Sequence, residues 1–132
     1  MFALRIKEVA DLLGVSDDTA RRWVDTGRLT ATRDDTGRLA VEGREVADFA
    51  RSMAEPVDRG GLGRESARNL FRGIVTRVVR DGVMAQVDLQ AGPHRIVSLM
   101  SREAADDLGL EPGVVAYASV KATQVVIEVS DR

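Results

Sequence analysis

Between Glu55 and Arg64 the chain reads Glu-Pro-Val-Asp-Arg-Gly-Gly-Leu-Gly-Arg, and the hydrophobic pattern on its two sides has two different periods. Proline, three glycines and alternating charges can neither continue a helix nor build a core, so this stretch reads as a flexible linker. Before it, apolar residues recur at helical spacing; after it, they alternate and are β-branched. The change of period predicts two domains of α+β class, residues 1–54 and 65–132, joined by 55–64. Blocks of this size have marginal single cores, so mutual support or oligomerisation is expected.

Composition removes several function classes. Of the 132 residues 44% are hydrophobic, which fits a globular chain, and the formal net charge of −2 exerts no overall pull on nucleic acid or anionic lipid. With no cysteine and one histidine, His94, disulfides, thiolate nucleophiles and the usual histidine metal sites are excluded. No direct protein–metal ligands, catalytic residues or catalytic cofactor are expected. The sequence has no phosphate-binding glycine loop with lysine and no triad, which argues against an enzyme. Charge arrives too early for a signal peptide and no apolar run reaches membrane-spanning length, so the reading is cytoplasmic with no membrane partner.

In the first block Ile6, Val9, Ala10, Leu12 and Leu13 give a short helix an apolar face, and Gly14 can turn the chain. Ser16 is placed to cap a second helix, with Asp17 and Asp18 at its positive end and Ala20, Trp23 and Val24 facing inward. Helix, turn with glycine, capped helix is the helix-turn-helix arrangement. Residues 29–33 and 38–41 flank Asp34-Asp35-Thr36-Gly37, a hairpin that would form a wing. Val46, Phe49, Ala50 and Met53 predict a third, core-closing helix.

The runs Arg5 to Ser16, Thr19-Ala20-Arg21-Arg22-Trp23 and Gly27-Arg28-Leu29 resemble the MerR and excisionase type of winged helix over roughly the first fifty residues. That resemblance implies double-stranded DNA as partner, with Thr19, Arg21 and Arg22 facing the major groove and Arg33 and Arg38 touching phosphates from the wing. Against it, exposed helix arginines are by default a solvated face, and this block is about as acidic as it is basic. A helix-turn-helix retained for protein contacts stays open.

The second block predicts strands at 71–80, 83–89, 95–99, 114–120 and 124–129, with Asp81-Gly82 and Gly92-Pro93 as turns. Ser101 is placed to cap a short helix running to Leu108, and Gly109 stops it. Five strands and one helix suggest an OB-like β-barrel.

Ser66-Ala67-Arg68-Asn69, Phe71-Arg72-Gly73, the segment 101–110 and Lys121-Ala122-Thr123 resemble, in order, the molbindin domain, also called Mop or TOBE. The resemblance spans nearly all of 65–130 and implies a tetrahedral oxyanion, molybdate or tungstate, as ligand. Such an anion needs hydroxyls, amides and a cation rather than carboxylates. The expected donors are Ser66, Ser101 and Thr123 hydroxyls, the Lys121 ammonium, and backbone at Ala67, Arg68 and Ala122. By ordinary roles, Ser101 is a helix cap, Lys121 a solvated edge lysine and His94 an exposed hairpin residue. The family likeness also implies a homo-oligomer, a dimer or a hexamer built as a trimer of dimers, with anions where subunits meet. Two functions follow: an oxyanion-responsive, DNA-binding transcriptional regulator, or intracellular molybdate storage with the helix-turn-helix serving assembly or protein contacts.

Overall fold

The computed structural model describes residues 2–130, and the chain divides into two compact units, Met1–Pro56 and Val57–Arg132. In the first, strand β1 (Ala3–Arg5) leads into α1 (Ile6–Leu13) and α2 (Asp17–Asp25). The hairpin β2 (Ala31–Arg33) and β3 (Leu39–Glu42) follows, then α3 (Gly43–Met53). Gly14 ends α1 at φ +70°, a left-handed backbone that favours glycine. Ser16 caps α2, its Oγ accepting from Thr19 N at 3.2 Å.

Val9, Ala10, Ala20, Trp23, Leu29 and Val41 are buried together at the centre of this unit. Trp23 packs on Phe49 of α3 with ring centroids 4.7 Å apart. The Arg28 guanidinium covers both rings, at 5.9 and 5.1 Å. Two expectations change here. Leu12 and Met53, assigned to apolar faces by spacing, are 66% and 40% exposed, because each sits at the edge of its helix's inward stripe. The paired strand β1 was not foreseen: three residues are too few to show a period, and its order β1-β3-β2 follows from Leu4 pairing with Val41.

The second unit is built on β4 (Asn69–Arg80), β5 (Met84–Ala91), β6 (His94–Ser101), α4 (Arg102–Asp107) and β7 (Val115–Val120). Its antiparallel sheet has the order β6-β5-β4-β7. The long strand β4 pairs with β7 over Asn69–Ile74 and with β5 over Ile74–Arg80, so it passes from one partner to the other midway. Gly73 makes this crossing possible: a Cβ there would lie 2.5 Å from Gln90 O. A bulge at Thr76 adds curvature just beyond it. The Asp81 carboxylate shapes the β4–β5 turn by accepting from Val83 N and Met84 N at 2.8 and 2.7 Å. Those backbone donors hold its carboxyl below the ordinary carboxylate pKa.

The expected fifth strand, 124–129, is not paired. Lys121 instead leads into a 3-10 turn, Ala122–Gln124, which carries the chain away from the edge of β7. Beyond it Val126, Ile127 and Val129 are each more than 80% exposed. The curled sheet correspondingly leaves an apolar trough of about 500 Å³ whose lining includes Val75, Leu89, Ile96, Val114 and Ala118. Residues 57–64, read as linker, belong to this unit, and Leu62 lines the trough.

Candidate functional site

The two runs singled out in the second block meet at one end of its sheet. Asn69 opens β4 opposite Val120, the last residue of β7, and its Nδ2 donates to Val120 O at 3.0 Å. Ser66, Ala67 and Arg68 therefore enter beside the point where Lys121, Ala122 and Thr123 leave. Ser66, Arg68 and Lys121 through Thr123 are exposed, and Ala67 is half-buried. The hydrogen bonds of the 3-10 turn begin with Gln124 N to Lys121 O at 2.9 Å, so the amides of Ala122 and Thr123 precede its internal bonding. Lys121 forms no ion pair among the described residues. Hydroxyls, free amides and an unpaired ammonium form a donor set suited to an anion.

Ser101 does not share this place. It pairs with Met84 at the opposite end of the sheet, separated from Asn69 by most of β4, about 35 Å of strand contour at the usual rise. Its Oγ accepts from Ala104 N at 3.1 Å and so caps α4, which leaves its own proton to donate. The surrounding hollow also carries Glu103, Asp106 and Asp107, with Arg102 3.8 Å from Asp106. In one chain the predicted donors thus split into a cationic group and a single serine in acidic surroundings. The residue that sequence reasoning left out of the donor set is Asn69, although the Ser-Ala-Arg-Asn run contained it.

In the first unit, Arg21, Arg33 and Arg38 line one groove, while Thr19 and Arg22 lie outside its lining. Thr19 is half-buried, with its hydroxyl 3.0 Å from Ser16 Oγ, so much of its bonding capacity is used within the turn. Arg22 is exposed. Arg33 donates from Nη1 to Gly37 O at 2.7 Å across the hairpin loop. Asp34 organises that loop: its carboxylate accepts from Thr36 Oγ1 at 2.6 Å and from Thr36 N and Arg38 N. The Thr36 hydroxyl and then the Arg38 amide hold its pKa down.

The second unit is thus a curled antiparallel sheet with a donor cluster suited to an anion, preceded in the chain by two helices in helix-turn-helix order. A TOBE domain model matches residues 65–127 and a helix-turn-helix domain model matches residues 3–54. Molybdenum-pterin-binding protein 3 of Clostridium pasteurianum is 38% identical over 63 residues, which are 47% of this chain and 93% of that protein. The chain belongs to the molbindin, or TOBE-domain, family and carries a helix-turn-helix ahead of that domain.

Molybdenum-pterin-binding protein MopA of Rhodobacter capsulatus is 37% identical over 65 residues, 48% of this chain but only 24% of that protein's length. Among solved structures, a molybdate binding protein from Sporomusa ovata is 28% identical, with TM-score 0.49, covering 51% of this chain and all of that one. The cytoplasmic molybdate-binding protein ModG is 39% identical, with TM-score 0.45, covering 49% of this chain and 46% of that one. No helix among the described residues is long and apolar enough to cross a membrane.

Proposed function

We propose that this protein binds molybdate or tungstate through its second unit and acts as an oxyanion-responsive, DNA-binding transcriptional regulator. The observation that carries the reading is the bond from Asn69 to Val120 O, which sets Ser66–Arg68 beside Lys121–Thr123. Ser66, Thr123, the amides of Ala67, Arg68 and Ala122, and the Lys121 ammonium surround the anion. That relatives carry the name molybdenum-pterin-binding protein supports this class of ligand. The first unit contributes DNA contacts through Arg21, Arg22, Arg33 and Arg38, with Thr19 near the groove.

Assembly belongs to the same proposal. The exposed segment Val125–Val129 and the open apolar trough are complementary. The same segment from a second copy supplies the missing fifth strand and closes the barrel. A dimer, or a hexamer made of three dimers, follows, with anions at subunit boundaries where Ser101 of another copy can reach the Lys121 cluster. An anion bound there stabilises one arrangement of subunits and so one disposition of helix-turn-helix units.

Native mass spectrometry of the full chain titrated with molybdate, tungstate and sulfate tests this reading. Stoichiometric retention of the first two by a dimer or hexamer, with sulfate largely lost, supports it; no selective uptake rejects it. Electrophoretic mobility with genomic fragments, with and without molybdate, tests the response. Equal DNA affinity in both conditions removes the regulatory function and leaves storage.

A further inference from the structure

The groove of the first unit holds more cations than the helix-turn-helix reading accounts for. It opens between the start of α1, the outside of α2 and the β2–β3 hairpin, and its lining includes Arg5, Lys7, Arg21, Arg33 and Arg38. Arg5 and Lys7 have no place in the groove-reading set or the wing.

Neither side chain serves the core. The structural part of Arg5 is played by its backbone, which pairs with Ala40 and donates N–H to Glu8 Oε1 at 3.4 Å. Its guanidinium is half-exposed and stands 3.7 Å from Asp34, beyond hydrogen-bonding range. Lys7, Arg21 and Arg38 form no ion pair among the described residues. Asp34 offsets only one of these charges: its Oδ1 accepts from Thr36 and Arg38 N, and its Oδ2 faces the Arg5 guanidinium. Lys7, Arg21, Arg33 and Arg38 are left without an ion-pair partner among the described residues and repel one another, at a cost that a bound polyanion would reverse.

We propose that Arg5 and Lys7 clamp the DNA backbone, forming a phosphate-binding wall opposite Arg33 and Arg38. The proposal rests on the DNA-binding reading and extends it. Repeating phosphates suit a row of separate cations better than one small anion does, and arginine forks with a lysine point charge are the usual donors to them. DNA would then be gripped from the first turn of α1 as well as from α2 and the hairpin.

Phosphate contacts are sequence-independent, so the operator need not be known. The full chain is titrated into a labelled duplex of random sequence, about three helical turns long, and fluorescence anisotropy gives the affinity from about 50 to 200 mM salt. The double variant R5A/K7A should weaken binding about tenfold or more and reduce the slope of log K against log salt by about 1.8. R44A/R51A removes the same charge from α3, outside the groove lining, and should stay within about twofold. R5K/K7R should keep most of the affinity. Trp23 emission during denaturation checks that all variants retain the fold. Unchanged binding in R5A/K7A overturns the clamp while DNA binding stands, and equal losses in R5A/K7A and R44A/R51A overturn it as a matter of general charge. A wild-type chain that leaves the duplex free overturns both the clamp and the DNA-binding reading.

Discussion

Asn69 donates its side-chain amide to Val120 O at 3.0 Å across a sequence separation of 51 residues. The register of β4 with β7 alone would align the strands, but the side-chain bond fixes where each of them ends. Ser66–Arg68 and Lys121–Thr123 flank those ends. Asn69→Ala should therefore destabilise the second unit by about 1 to 2 kcal/mol. It should also weaken molybdate binding, although Asn69 is not among the proposed donors. Calorimetric titration beside thermal unfolding checks both; lost stability with unchanged affinity would make Asn69 purely architectural.

Lys121→Ala should leave stability within about 0.5 kcal/mol, because the residue is exposed and unpaired. Its effect belongs to the ligand: molybdate affinity should fall at least about tenfold, the equivalent of one charge-assisted bond. Lys121→Arg, which keeps charge but changes donor geometry, should fall between the two. Isothermal titration with molybdate reads all three proteins.

Gly73→Ala places a Cβ against Gln90 O at 2.5 Å and Leu89 Cγ at 2.9 Å. The first obstacle is backbone and cannot swing aside, so about 1 to 3 kcal/mol should be lost. In a unit of this size that is a fall of at least about 4 °C in melting temperature. Differential scanning calorimetry would show it.

If the proposed strand exchange builds an oligomer, truncation after Gln124 should yield monomers while preserving β4 to β7, since none of those strands pairs with the deleted residues. Ile127→Asp should do the same with the chain length kept, by setting a charge where an apolar strand would seat. Light scattering after gel filtration gives the mass, and an unchanged oligomer in both variants would sink the strand-exchange proposal.

Asp34, Asp81 and Asp88 all have carboxyl pKa values held below the ordinary 3.8, through bonds from Thr36, from the Met84 amide and from Gln86 with Arg95, respectively. For a depressed carboxylate the native state binds fewer protons than the unfolded state, so the stabilising contribution is complete above the unfolded value. It is lost as pH falls below 3.8 through the folded values. Urea midpoints should thus be insensitive to these groups at neutral pH and drop in that acid range. Asp81→Asn should flatten part of the drop.

What the sequence disclosed follows from which interactions are local. The cap at Ser16, the left-handed Gly14 and the Asp81 turn are fixed by neighbours within a few residues, and each was readable. Strand β1 was not, because its identity depends on Val41, far along the chain and unrelated by period. The segment 124–129 has the composition of a strand, but no strand among the described residues pairs with it, so pattern alone predicted a pairing that the chain by itself does not make. Family likeness implied that the Ser66 and Lys121 runs serve an anion where subunits meet, one subunit's Ser-Ala-Arg-Asn completing another's site; their closeness within one chain required the register of β4 with β7. The distance of Ser101 from them required the register of β5 and β6.

The aromatic packing of the first unit has a practical consequence. Trp23 is the chain's single tryptophan, buried against Phe49 and Arg28, whereas the single tyrosine, Tyr117, belongs to β7 in the second unit. Selective excitation of indole at the red edge reports on the first unit alone, and tyrosine emission, with the indole contribution subtracted, reports on the second. The protein thus carries two optical labels already in place, able to reveal whether adding molybdate is felt in the first unit as well as in the second.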